Sequence, residues 1–127
     1  MPTPIRILLV DDNDQFRAAL CQLLKCRPEF EVVGEAADGD IAIFRVAELS
    51  PDVVVMDINM PRVNGIKAIR QIIAGQTPPK VLIFSASGAL AADAALKAGA
   101  MGFVSKPKAF EQLPEAIHSV MAGNTYL

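Results

Sequence analysis

The sequence predicts an α/β protein: a doubly wound five-stranded parallel sheet, order 2-1-3-4-5, with helices on both faces. Three observations predict it. Short apolar runs alternate along the chain with stretches whose apolar residues recur at helical spacing, the pattern of strand–helix–strand units. The run at 53–56 is apolar without alternation, as in a strand covered on both faces. Right-handed crossovers between parallel strands leave few topologies, and the order 2-1-3-4-5 sets the first and third strands side by side at a switch point.

Length and composition agree with one domain spanning residues 1–127. A chain of 127 residues, 52% of them hydrophobic, is large enough for one substantial core and too apolar for disorder. A formal charge of −2 gives no electrostatic case for binding nucleic acid or a membrane surface. No apolar run is long enough to span a bilayer and no signal-peptide pattern opens the chain, so a cytoplasmic location is expected. Cys21 and Cys26 lie on a predicted helix at a spacing that fits neither a redox pair nor a zinc half-site, and are read as reduced and structural.

The elements follow in order. Ile5 to Val10 is the first strand, apolar except for Arg6. A helix begins near Asp14, with Phe16, Ala19, Leu20, Leu23 and Leu24 on one face, and Arg27-Pro28 ends it. Glu31 to Ala36 is shorter and more polar, an expected edge strand. Asp38-Gly39-Asp40 turns the chain and caps a helix buried through Ala42, Val46 and Leu49, which Ser50-Pro51 stops. Val53 to Met56 is the third strand, and residues 58–64 form a loop from which Gly65 leads into a helix with Ile66, Ile69, Ile72 and Ile73 inward. After Pro78-Pro79, Val81 to Phe84 is the fourth strand, and an alanine-rich helix runs from Ala89 to Ala98 with Gly99 as its C-terminal cap. Phe103-Val104 mark the fifth strand. The last helix buries Phe110, Leu113, Ile117, Val120 and Met121, with Pro114 expected in its first turn, where a missing N–H does no harm.

This layout gathers Asp11, Asp12, Asp57, Ser85 and Lys106 at the carboxyl ends of the strands, where open α/β sheets hold their ligands. Three carboxylates at contact distance repel, so protons or a cation must lie among them. Their ligands are all oxygens, which suits Mg2+ and offers nothing to zinc. Mg2+ commonly pairs with phosphate, so phosphoryl transfer is the reaction class, with Lys106 and the metal neutralising the transferred group. Asp57, central and on a stiff strand, is then the natural nucleophile, since a carboxylate can accept a phosphoryl group as an acyl phosphate.

Four motifs in this order carry a resemblance: Ile-Leu-Leu-Val-Asp-Asp at 7–12, Val-Val-Met-Asp-Ile-Asn-Met-Pro at 54–61 with Gly65, Ser85-Ala86, and Gly-Phe-Val-Ser-Lys-Pro at 102–107. The chain resembles the receiver domain of two-component response regulators, a flavodoxin-like fold, along its whole length. The resemblance implies that Asp57 accepts phosphate from a sensor histidine kinase or phosphotransfer protein. Asp12 would bind Mg2+ directly, Asp11 mostly through water, and Asn59 through its backbone carbonyl. Lys106 would pair with the phosphate and Ser85 would hydrogen-bond it, while Phe103 stands at the aromatic switch position without the hydroxyl of the usual tyrosine. The small Ala86 would leave a path to the phosphate, and Lys106-Pro107 matches a cis-proline junction. A homodimer on phosphorylation is implied, with the fourth helix, fifth strand and fifth helix as output face. Residues 122–127 resemble the start of a linker to a DNA-binding output domain absent from this chain, which would control transcription; the receiver itself is no enzyme beyond self-dephosphorylation.

Each residue has a plainer reading. Asp11 and Asp12 alone would serve equally as acidic residues at a helix N-terminus. Lys106 alone is a surface charge, Ser85 alone a strand-end hydroxyl, Phe103 a core residue, and His118 a solvated side chain. Together the acids and Lys106 favour the site. The alternative is a phosphorylation-independent protein-interaction module of receiver fold; a metal-dependent phosphohydrolase would need a second acid near Asp57, where Asn59 stands.

Overall fold

Apolar runs become strands wherever the next run can lie beside them, and here five do so. In the computed structural model, which describes residues 3–58, 65–75, 77–85 and 89–126 (the side chains of 85 and 89–91 excepted), the strands are β1 (Ile5–Val10), β2 (Phe30–Ala36), β3 (Val53–Asp57), β4 (Lys80–Ser85) and β5 (Gly102–Ser105). Between and after them come α1 (Asp14–Lys25), α2 (Gly39–Leu49), α3 (Gly65–Ile73), α4 (Ala89–Ala98) and α5 (Ala109–Met121), with a single 3-10 turn at Lys106–Lys108. All pairings are parallel and the order is β2-β1-β3-β4-β5, as predicted.

Alternate side chains of the central strands feed two cores. Ile7, Leu9, Val53, Val55, Leu82, Phe84 and Val104 face α1 and α5, meeting Leu20, Leu24, Leu113 and Ile117. Leu8, Val10, Val54, Met56, Val81 and Ile83 face α2, α3 and α4, meeting Ala42, Ile69, Ile72 and Ala95. Every residue of β3 is buried, and a fully buried Val, Leu or Ile contributes roughly 2 kcal/mol. The expected edge strand β2 is indeed outermost, and its register with β1 slips by one residue between Ile7 and Leu8, a bulge of the sort edges tolerate.

Local chemistry fixes the helix ends. Asn13 caps α1 by accepting from the Phe16 N–H at 3.0 Å, and Asp38 caps α2 by accepting from the Ile41 N–H at 2.9 Å. Gly99 ends α4 with φ of 117°, a conformation open to glycine and strained for other residues.

Several expectations fail for identifiable reasons. Pro114 lies in the second turn of α5, because the 3-10 turn runs straight into a helix that begins at Ala109. Burial of Leu113, Pro114, Ala116 and Ile117 outweighs the one helical bond that proline removes. Phe110 is 41% exposed rather than buried and packs edge-on against Phe16 at 5.4 Å. Lys106-Pro107 is trans, as is every described peptide bond, with Pro107 in the first turn of the 3-10 segment, where its missing N–H is harmless. The solvated reading of His118 holds, since its side chain is exposed; its Nε2 lies 3.1 Å from Glu29 Oε2 and its ring 5.1 Å from Phe30. Hydrogen bonds from Arg27 first, then from the backbone and His118, hold the Glu29 carboxyl down at about 2.

The tail holds a contact that no local pattern announces. Tyr126 bridges Gly102 in parallel, donating to the Met101 carbonyl at 3.0 Å and accepting from the Phe103 N–H at 2.9 Å. Gly102 makes room: a Cβ there would stand 2.9 Å from the Tyr126 carbonyl oxygen and 2.7 Å from Leu82 Cδ1.

Candidate functional site

The register of the sheet assembles the acids. Val10 pairs with Met56, so Asp11 and Asp57 leave adjacent strands in step, and Asp57 pairs in turn with Phe84. Phe84 pairs with Val104 and Ser85 with Ser105, which brings Lys106 to the same edge one residue later. Asp11, Asp12 and Asp57 each offer a carboxylate oxygen within 4.8 Å of the others. Asp11 and Asp57 are buried and Asp12 is exposed.

Lys106 reaches across this group. Its Nζ donates to Asp57 Oδ2 at 3.0 Å and lies 3.1 Å from Asp11 Oδ2. The rings beneath it are Phe16, 4.6 Å from Nζ to the centroid, and Phe84 at 5.8 Å. A cation over aromatic faces gains from the ring quadrupoles. Burial works against the charged Lys106, but its hydrogen bond to Asp57 and the charges of Asp57 and Asp11 outweigh it and raise its pKa.

Asp11 is the strained member. Burial raises its pKa above the ordinary carboxylate value, and the Asp57 charge adds to this. The Asn13 N–H, which donates to Asp11 Oδ1 at 2.9 Å, and the Lys106 ammonium pull the other way. Oδ2 of Asp11 is buried and has no hydrogen bond; its contact with Lys106 has ion-pair distance without hydrogen-bond geometry. A buried carboxylate oxygen without a hydrogen bond, in a cluster where the described residues set three carboxylates against the Lys106 ammonium, fits a divalent cation ligated through oxygen.

Of the residues singled out from the sequence, Asp11, Asp12, Asp57 and Lys106 thus meet at one edge. Ser85 ends β4 at that edge, its side chain outside the described residues, as are Asn59 and Ala86. Phe103 is half-buried on β5 and packs against the α2–α3–α4 core. Sequence reasoning missed Asn13, Phe16 and Arg17. Helical spacing marks Phe16 as core, and only its position one turn after the aspartates points to it as the floor under Lys106. Arg17 donates from Nη1 to the Asp11 carbonyl, from Nε to Glu35 at 3.0 Å and from Nη2 to Asp14 at 2.8 Å.

Residues 7–118 match the model of the response regulator receiver domain family. The chain belongs to that family. This receiver is 39% identical over 124 residues to the transcriptional regulatory protein DegU of Brevibacillus brevis, a match covering 97% of this chain and 52% of that one. It is 44% identical over 106 residues to a protein-glutamate methylesterase/protein-glutamine glutaminase of Symbiobacterium thermophilum, covering 82% of this chain and 29% of that one. The receiver therefore spans about half of the first relative and under a third of the second. Among solved structures, a LuxR-family two-component response regulator from Aurantimonas superposes with a TM-score of 0.92 at 37% identity, over 98% of this chain and 90% of that one. An acidic triad of this kind is typical of the Mg2+ site of receivers, and a receiver implies a kinase partner. No helix among the described residues is long and apolar enough to cross a membrane.

Proposed function

We propose that this receiver accepts a phosphoryl group on Asp57 from a phosphohistidine of a sensor histidine kinase or phosphotransfer protein. The observation that carries the reading is the buried Asp57 carboxylate, 3.0 Å from Lys106 and within 4.8 Å of two further acids. A carboxylate oxygen of Asp57 attacks phosphorus; the O–P bond forms as the N–P bond breaks, and the departing imidazole keeps the electron pair and takes up a proton. Lys106 exchanges its contact with Asp57 for the phosphoryl oxygens, which carry more charge. Mg2+, held by Asp11, Asp12, Asp57 and the Asn59 carbonyl, supplies neutralising charge at the transferred group when bound. Ser85 then hydrogen-bonds the phosphate and Phe103 turns inward, shifting an existing equilibrium between inactive and active forms.

The output face is α4, β5 and α5, through a homodimer formed on phosphorylation or through an attached domain. The lengths of the curated relatives support a receiver domain at 1–127 with residues 122–127 leading to an output domain. The DegU likeness favours control of transcription, which this reading assigns to DNA binding by that domain inside the cytoplasm. The receiver itself turns over nothing except its own acyl phosphate.

The test is uptake of phosphate from acetyl phosphate or a phosphorylated kinase, read by intact mass with and without Mg2+. One base-labile phosphoryl group is expected on the native chain and none on Asp57→Asn. Labelling that survives the substitution overturns the site assignment; a native chain that takes none from either donor is an interaction module instead.

A further inference from the structure

We infer that Arg17 is a positioning residue for the metal-binding turn: its guanidinium fixes the Asp11 carbonyl and thereby sets where Asp12 stands relative to Asp11 and Asp57. The inference rests on the reading of this edge as a Mg2+ site and goes on to ask what holds the site in shape.

The turn from Asp11 to Asn13 is bound on three sides. The Asp11 N–H donates to the Ala36 carbonyl of β2 at 3.0 Å. Its Oδ1 accepts from the Asn13 N–H at 2.9 Å. Its carbonyl oxygen accepts from Arg17 Nη1. The peptide linking Asp11 to Asp12 is planar, so the direction of that carbonyl fixes where the Asp12 N–H and Cα lie. Asp12 is exposed. Its position is inherited from its neighbours, and Arg17 is the side chain that grips the shared peptide.

Arg17 is itself held firmly. Nε reaches Glu35 on β2 at 3.0 Å, Nη2 reaches Asp14 in the first turn of α1 at 2.8 Å, and its own N–H donates to the Asn13 carbonyl at 3.0 Å. Its side chain is only 16% exposed. The planar fork spreads its donors over three elements at once, which a lysine ammonium on a flexible stem cannot reproduce. The two carboxylates, Asp14 and Glu35, more than offset the single guanidinium charge, so the group as a whole does not repel a cation. What remains is geometry: an ion bound by several oxygens gains when they are already in place, and groups that orient ligands from behind are worth about tenfold or more in metal affinity.

The experiment titrates MgCl2 into the native chain, Arg17→Met, Arg17→Lys and the control Arg45→Met, following backbone amides by NMR well below each melting temperature. Arg45 is an exposed arginine of α2 paired with Glu48 at 2.9 Å. Arg17→Met is expected to fold and to raise the Mg2+ Kd about tenfold. Arg17→Lys should fall between it and the native chain, and Arg45→Met should bind like the native chain. A folded Arg17→Met with native Mg2+ affinity and only a lower melting temperature overturns the inference, since Arg17 would then be structural. Should Arg17→Met not fold, Arg17→Lys decides: a raised Kd supports the inference and an unchanged one overturns it. Failure of the native chain to bind Mg2+ would instead sink the reading of the site itself, a result distinct from any variant's.

Discussion

Asp11 shows at the scale of one side chain how this site is built against stability. Its pKa is raised chiefly by burial, so the folded chain holds its proton more tightly than the unfolded chain does. By linkage, the stability contributed by neutral Asp11 is fully present below the unfolded value and is lost as pH rises through the raised folded value. Above that folded value the ionised group opposes folding, offset in part by the Asn13 N–H and by Lys106. Asp11→Asn keeps an oxygen for the Asn13 N–H and removes the buried charge. It should stabilise the metal-free chain by about 1 kcal/mol in urea unfolding at neutral pH, a gain that shrinks as pH falls. The same variant should lose the stabilisation that added Mg2+ gives the native chain. A variant less stable than the native chain in chelator would show that the ion pair with Lys106 outweighs the burial of Asp11.

Among the elements, α3 depends on one glycine at its start. A Cβ on Gly65 would meet Ile58 Cα at 2.4 Å and the Ile58 carbonyl oxygen at 2.8 Å, backbone atoms that cannot swing aside. Ile58 follows Asp57 directly, so this close approach seats α3 against the end of the strand that carries the candidate acceptor. Gly65→Ala should cost about 3 kcal/mol in thermal or urea unfolding, the upper end for overpacking, because backbone must move rather than a side-chain tip. A loss below about 1 kcal/mol would mean that α3 shifts freely on β3. Legibility divides along similar lines. The strands and α4 could be read from the sequence because their signals are local: apolar runs, helical spacing, and Gly99 where the backbone needs φ of 117°. The meeting of Asp11, Asp12, Asp57 and Lys106 followed from topology once the strand order was known. Pro114 misled because its local preference for a first turn was overridden by the 3-10 turn before α5 and the burial along it. The grip of Arg17 on the Asp11 carbonyl and the bridge of Tyr126 to β5 were illegible for another reason: both are contacts with backbone atoms brought close only by the fold.

Across the whole molecule, the parallel sheet links the acidic edge to the far tail by a short covalent and hydrogen-bonded route. Asp57 pairs with Phe84 on β4, Phe84 with Val104 on β5, and the neighbouring Phe103 gives its N–H to the Tyr126 carbonyl at 2.9 Å. Helix α2 stands on the other side, against β2 and β1, two strands removed from β4. A phosphate-driven switch at Asp57 that moves the backbone of Phe103 would disturb the bond that holds Tyr126, and would reach α2 only through the core it shares with α3 and α4. Beryllium fluoride, a mimic of the acyl phosphate, should with Mg2+ shift the backbone amides of Asp11, Asp12 and Asp57 and also those of Gly102, Phe103 and Tyr126. Amides of α2 from Ala42 to Glu48 should stay in place, and omission of Mg2+ should abolish the whole pattern. Shifts confined to the acids would leave a receiver fold whose site no longer speaks to β5. Equal shifts in α2 would show a global change rather than a path through β4 and β5 to the tail.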